Sequence, residues 1–60
     1  MARAALVVED DPAIRLVLRG NLEDEGYLVH EAESGERALE TMTSEAVDVV
    51  LIDLRLPGIQ

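Results

Sequence analysis

Three short apolar runs divide the chain and predict three β-strands. The first, Ala4–Val8, and the third, residues 47–52, consist almost entirely of Ala, Val, Leu and Ile. Runs without regular polar alternation are typical of strands that are buried on both faces of a parallel sheet. The second run, Leu28–Ala32, contains a histidine and a glutamate and predicts a weaker strand.

The segment between the first two runs predicts an amphipathic helix over residues 12–25. Asp11 is a typical N-cap, and Pro12 fits the first helical position because the N–H that it lacks would have no partner there. Apolar residues then recur every four positions and form one stripe: Ile14, Leu18 and Leu22. Gly26 predicts a left-handed residue just after the helix.

A second helix is predicted over residues 35–42, with Ser34 as its N-cap and a linker at residues 43–45. Its apolar side consists of Ala38, Leu39 and Met42. The resulting order, β-α-β-α-β, is typical of a parallel sheet whose strands are joined by right-handed crossovers. In such α/β sheets, functional sites form at the carboxyl ends of the strands.

Composition narrows the class of protein. Hydrophobic residues make up 48% of the 60-residue chain and charged residues 30%, which indicates one small globular domain. The formal charge of −8 argues against direct nucleic-acid binding. Because there is no cysteine, disulfides and thiolate metal sites are excluded. No segment approaches the ~18 apolar residues of a membrane span, so we expect no membrane contact and a cytoplasmic location.

Carboxylates follow the first and third apolar runs, at Glu9, Asp10, Asp11 and Asp53. Parallel strands would bring these acids to one edge of the sheet, where a divalent cation would relieve their repulsion. Oxygen donors without cysteine suit Mg²⁺, and such a site can hold a phosphoryl group beside a carboxylate nucleophile. Spacing also leaves a simpler interpretation open: Asp11 fits better as a helix cap, and Asp53 fits equally well as a strand cap.

Two motifs resemble the receiver domain of bacterial two-component response regulators. They are Leu-Val-Val-Glu-Asp-Asp-Pro-Ala-Ile-Arg at residues 6–15 and Val-Asp-Val-Val-Leu-Ile-Asp-Leu-Arg-Leu-Pro-Gly at residues 47–58. Gly26-Tyr27 and residues 32–39 fit the same pattern between them. The resemblance implies a flavodoxin-like doubly wound parallel sheet. Residues 1–60 would form its β-α-β-α-β first half, a truncated receiver domain with strand order 2-1-3.

The resemblance also implies a role for each of these acids except Asp11. Asp53 is the implied phosphate acceptor, and Glu9 with Asp10 is the implied acidic pair. Asp10 and Asp53 would bind Mg²⁺ directly and Glu9 would act through water. The backbone carbonyl of Arg55 would be a further ligand. The implied function is phosphorelay signal transduction in the full-length protein, with a sensor histidine kinase as the partner, and not an enzyme activity. For the 60-residue chain alone we expect weak or undetectable phosphorylation.

The chain departs from the family pattern in the groups that contact the phosphoryl group. The family uses a hydroxyl after its fourth strand and a lysine after its fifth, whereas this sequence contains no lysine and stops at Gln60. In such a half domain the third strand would be an exposed apolar edge, which is a template for pairing with another strand. We therefore expect a homo-oligomer, joined through the third strand or through the sheet faces.

Two other functions stay open. A truncated fragment could assemble with itself and carry out no phosphotransfer. A metal-dependent phosphatase of similar fold also places an Asp after a strand, but such enzymes usually show a second Asp two residues later, where this chain has Arg55. Phosphorylation of Asp53 in the presence of Mg²⁺ would discriminate between the signalling protein and the inert fragment.

Overall fold

The chain folds as an alternation of strands and helices, and the computed structural model describes residues 2–53 of it. The elements in chain order are β1 (Ala4–Val8), α1 (Pro12–Asp24), β2 (Leu28–Ala32), α2 (Gly35–Ser44) and β3 (Val49–Ile52). All five elements were predicted, and the bounds of β1 and β2 agree with the apolar runs. Neither helix in this part of the chain is long and apolar enough to cross a membrane.

The three strands form one parallel sheet in the order β2-β1-β3. The central strand, β1, places Leu6 opposite His30 on one side and opposite Val50 on the other. This arrangement confirms the predicted α/β class and the 2-1-3 strand order. It also brings the carboxyl ends of β1 and β3 next to each other, because neighbouring parallel strands run in the same direction.

Helix α1 begins and ends at the predicted signals. The Asp11 carboxylate accepts hydrogen bonds from the N–H groups of Ala13 at 2.9 Å and Ile14 at 3.3 Å, and Pro12 occupies the first turn. These bonds satisfy two of the amides that a helix start leaves without partners. Gly26 has φ +93°, the left-handed conformation that ends a helix without steric cost only at glycine.

Helix α2 is two residues longer than predicted, since it continues to Ser44. The linker expected at residues 43–45 is therefore wrong for Thr43 and Ser44. Their hydroxyls donate to the carbonyls of Leu39 at 2.8 Å and Glu40 at 3.2 Å, four residues back in the helix. Hydroxyl side chains that bond to the preceding turn are accommodated within a helix even though their type favours loops. The N-cap is as predicted, because Ser34 Oγ accepts from the N–H of Arg37 at 3.2 Å.

Strand β3 begins at Val49, two residues later than the apolar run suggests. Asp48 instead makes a mixed pair of hydrogen bonds with Ala4. Its N–H donates to the Ala4 carbonyl at 2.8 Å, and its carboxylate accepts from the Ala4 N–H at 2.8 Å. Because the side chain takes the place of a backbone carbonyl, the regular ladder starts only after Asp48.

The core is small and centred on β1. Leu6 and Val7 are fully buried, and Ala32 and Ala38 complete the buried set from β2 and α2. Helix α1 has no buried residue, and its stripe is only half-buried. The apolar side of α2 is likewise largely open, with Leu39 65% exposed. Strand β3 does not meet the expectation of burial on both faces, because residues 50–52 are exposed.

Candidate functional site

The candidate site lies where β1 and β3 end side by side. The N–H of Asp53 donates to the carbonyl of Val8 at 3.1 Å, which continues the β1–β3 ladder by one bond. On the other side, the N–H of Glu9 donates to the carbonyl of Ala32 at 3.0 Å. The backbone therefore places Asp53 directly beside the start of the acidic segment that follows β1.

The three predicted site acids in this part of the chain differ in burial. Glu9 is only 1% exposed, whereas Asp10 is exposed and Asp53 is half-buried. Oε1 of Glu9 accepts a hydrogen bond from the N–H of Asp11 at 3.2 Å, so this buried carboxylate stabilises its own turn. A buried carboxylate needs such partners because desolvation disfavours its charge.

Glu9, Asp10 and Asp53 line one cleft of about 610 Å³. The structure therefore brings together the three predicted acids that lie within residues 2–53. Asp11 does not line this cleft, and its carboxylate caps α1 instead, which confirms the simpler interpretation for that residue. Arg55, whose backbone carbonyl was predicted as a ligand, lies outside the described residues.

The donor set of the cleft fits Mg²⁺ in its chemistry. All side chains offered by the predicted ligands are carboxylates, and Mg²⁺ is bound through oxygen with several waters retained. Within residues 2–53, no three His, Cys, Asp or Glu side chains are grouped closely enough to hold a metal ion. The fit therefore consists of oxygen chemistry in a shared cleft, with no closed ligand cage in the described part.

The cleft has a second wall that the sequence did not predict. The start of α2 contributes Ser34, Gly35 and Glu36, and its next turns contribute Leu39 and Met42. The apolar side of α2 was predicted from the sequence, but its position at the cleft was not. Its proximity to the acids depends on the β2–α2–β3 path around the sheet, for which the sequence carries no local signal.

A cluster of ion pairs beside the acids was also missed. Glu31 on β2 accepts hydrogen bonds from Nε of Arg15 at 3.0 Å and from Nη1 of Arg19, and Arg19 also pairs with Glu23 at 3.1 Å. The bond from Arg19 lowers the pKa of the Glu31 carboxyl most strongly, Arg15 lowers it further, and partial burial opposes both. The same contact with Glu31 raises the pKa of the Arg19 guanidinium.

Arg15 links this cluster to the candidate site. Its Nη1 donates to the backbone carbonyl of Glu9 at 2.9 Å. One signal in the sequence could have pointed to it: a cation in the first turns of a helix opposes the helix dipole and therefore calls for a local partner. The identity of that partner, a backbone carbonyl, is visible only in the fold.

Comparison with known proteins agrees with this geometry. The family model for the response regulator receiver domain matches residues 5–60 of the chain. No solved structure gave a significant match. Receiver domains act in two-component phosphorelay signalling, interact with histidine kinases and generally bind Mg²⁺. Because the match covers nearly the whole sequence, the chain belongs to the response regulator receiver domain family.

Proposed function

We propose that Asp53 accepts a phosphoryl group from the phosphohistidine of a sensor kinase. The observation that supports this most directly is the position of Asp53, tied through its amide to the end of β1 and sharing a cleft with Glu9 and Asp10. A carboxylate oxygen of Asp53 forms the new P–O bond while the P–N bond of the phosphohistidine breaks, and the histidine leaves as the neutral imidazole after taking up a proton. The product is an aspartyl phosphate.

In this proposal Mg²⁺ would be held directly by Asp10, Asp53 and the backbone carbonyl of Arg55, and through water by Glu9. The ion supplies positive charge beside the acceptor, which reduces repulsion between the carboxylates and an incoming phosphoryl group. The chain itself positions the acceptor through the bond between the Asp53 N–H and Val8, and it keeps the Glu9 carboxylate away from bulk water.

In this proposal the chain is the substrate of a kinase and not itself an enzyme, and it works in the cytoplasm. Its acidic balance, with a formal charge of −8, supports a role without direct nucleic-acid contact.

Phosphorylation with a small donor tests the proposal. The protein is incubated with Mg²⁺ and acetyl phosphate, and intact mass is followed over time. We expect the mass of one added phosphoryl group in the wild type and none in Asp53→Asn. Asp24→Asn is the matched control, since Asp24 is an exposed residue at the far end of α1. Equal labelling of the wild type and Asp53→Asn would contradict the assignment of the acceptor.

Removal of the metal is an independent test. Mg²⁺ that binds only the folded state adds about 2.7 kcal/mol when present at 100 times its Kd. The melting temperature should therefore rise with millimolar Mg²⁺ and fall again with EDTA. Asp10→Asn should reduce the response, whereas Asp24→Asn should keep it. If Mg²⁺ did not change the melting temperature of the wild type, these acids would not form the proposed site.

We also propose that two copies of the chain associate through β3. Within residues 2–53, β3 pairs only with β1, and its Val50, Leu51 and Ile52 are 39%, 38% and 52% exposed. An apolar strand edge of this kind favours pairing with a second strand. Because each copy carries a charge of −8, association should strengthen as salt screens the repulsion.

Sedimentation velocity at micromolar concentration tests the association. We expect a dimer whose population grows between low and moderate salt, and a shift to monomer in Leu51→Lys. Asn21→Lys, which adds the same positive charge at an exposed position on α1, serves as the control. A folded wild-type monomer at every salt concentration would rule out this part of the proposal.

A further inference from the structure

One arginine contacts the turn that carries the proposed Mg²⁺ ligands. Arg15 donates from Nη1 to the backbone carbonyl of Glu9 at 2.9 Å and from Nε to Oε1 of Glu31 at 3.0 Å. Its side chain is only 19% exposed. A single guanidinium therefore joins α1, the residue after β1 and the penultimate residue of β2.

The contact with the Glu9 carbonyl fixes the orientation of a particular peptide group. That carbonyl belongs to the planar unit that connects Glu9 to Asp10, so its direction determines how the backbone enters Asp10. Glu9 already lies past the end of β1, and its amide bonds to Ala32. With Arg15 in place, both polar groups of the Glu9 backbone have partners in the fold.

The position of Arg15 is otherwise unfavourable. It is the fourth residue of α1, where the positive end of the helix dipole repels a cation. The Glu31 carboxylate and the Glu9 carbonyl offset that repulsion. The planar guanidinium donates from Nε and Nη1 and so reaches both acceptors at once. The ammonium group of a lysine does not reproduce this geometry.

We propose that Arg15 is a positioning residue: it holds the Glu9–Asp10 peptide in the orientation that directs the acidic pair toward the cleft shared with Asp53. This inference rests on the proposed function and deepens it. When a residue that orients metal ligands through hydrogen bonds is removed, metal affinity or activity typically falls about 10–100-fold. Arg15 acts on the ligands through the backbone and not through contact with the phosphoryl group.

Arg19 provides a matched comparison. Both arginines donate to the Glu31 carboxylate, but the hydrogen bond to the Glu9 carbonyl comes from Arg15. Arg15→Gln and Arg19→Gln should therefore both lower the melting temperature, through loss of the pair with Glu31. The dissociation constant for Mg²⁺, measured by calorimetry on the whole chain, should rise about ten-fold in Arg15→Gln and stay unchanged in Arg19→Gln.

A third variant, Arg15→Lys, keeps the proposal testable if Arg15→Gln does not fold. Arg15→Lys keeps the charge and the packing of the stem but cannot bridge both acceptors, so its Mg²⁺ affinity should also fall below that of Arg19→Gln. Equal affinities in the Arg15 and Arg19 variants would overturn the positioning role alone. A wild-type chain that binds no Mg²⁺ and accepts no phosphoryl group would overturn the proposed function, and the role of Arg15 with it.

Discussion

Strands β1 and β3 look alike in the sequence and differ in the structure. Both are short runs of Val, Leu, Ile or Ala, and each is followed directly by an acidic residue of the candidate site. Yet β1 lies in the middle of the sheet with its last four residues buried, while β3 lies at the edge with three of its four residues exposed. An apolar run thus indicates a strand, but it does not indicate how much of that strand is covered.

The difference follows from what packs against each strand. In the part of the chain that the structure describes, β1 has β2 and β3 as neighbours, and both helices pack against it. Strand β3 has β1 as its neighbour and neither helix packs closely on it. The same hydrophobic side chain therefore contributes more to the free energy of unfolding in β1 than in β3, because this contribution scales with the apolar area removed from water.

The largest expected effect tests this directly. Leu6→Ala removes a fully buried side chain and should cost about 2–5 kcal/mol, enough to unfold a small domain. Leu51→Ala, at a side chain that is 38% exposed, should cost clearly less. Chemical denaturation followed by circular dichroism compares the two. Both variants are measured in dilute protein, below the concentration at which β3 would associate, and similar losses under these conditions would contradict the link between exposure and stability.

A second prediction concerns Asp11, which caps α1 shortly after the end of β1. Asp11→Ala removes the cap of α1 and should cost about 1 kcal/mol, the usual value for an N-cap. Asp11→Asn, which still accepts hydrogen bonds, should recover most of this loss. Both variants are measured by the same denaturation experiment. If the two behaved alike, the negative charge of Asp11 and not its cap would be the stabilising feature.

A third prediction concerns Asp48, which bonds to Ala4 just before β3 begins. The Asp48 carboxylate accepts from the Ala4 N–H at an exposed position, so Asp48→Ala should cost about 0.5–1.5 kcal/mol at most. Amide hydrogen exchange should show faster opening of Ala4 and of β3, with β2 unchanged. Uniformly faster exchange across the whole sheet would indicate that β3 and β2 unfold together and would remove the contrast between the two edges.

The smallest expected effect lies on the β2 side and depends on pH. The pKa of the Glu31 carboxyl is lowered by Arg19 and Arg15, so its contribution to stability is present above the ordinary carboxyl pKa and is lost as the pH falls through the lowered pKa. Glu31→Gln should reduce stability at neutral pH by at most about 1 kcal/mol. The stabilities of the wild type and the variant should converge once acid protonates Glu31, and a difference that stays constant throughout the acid titration would contradict the assignment.

Much of the site could be predicted from the sequence, because its chemistry is carried by residues at recognisable positions. Glu9, Asp10 and Asp53 follow apolar runs, and parallel pairing alone requires their strands to end at the same edge. Asp11 before Pro12 identified a helix cap by local chemistry. Arg15 was not predicted, since its partners are a carbonyl six residues back and a carboxylate on another strand.

The sequence by itself determined the elements, their order and the acids at the strand ends, because periodicity, caps and Gly26 act through contacts only a few residues apart. The tertiary structure decided which apolar strand is buried, how Asp48 delays the start of β3, and which guanidinium holds the Glu9 carbonyl. These depend on segments that are distant in the chain and close in space. A local pattern specifies what a residue prefers, and only the assembled sheet determines which neighbours it has.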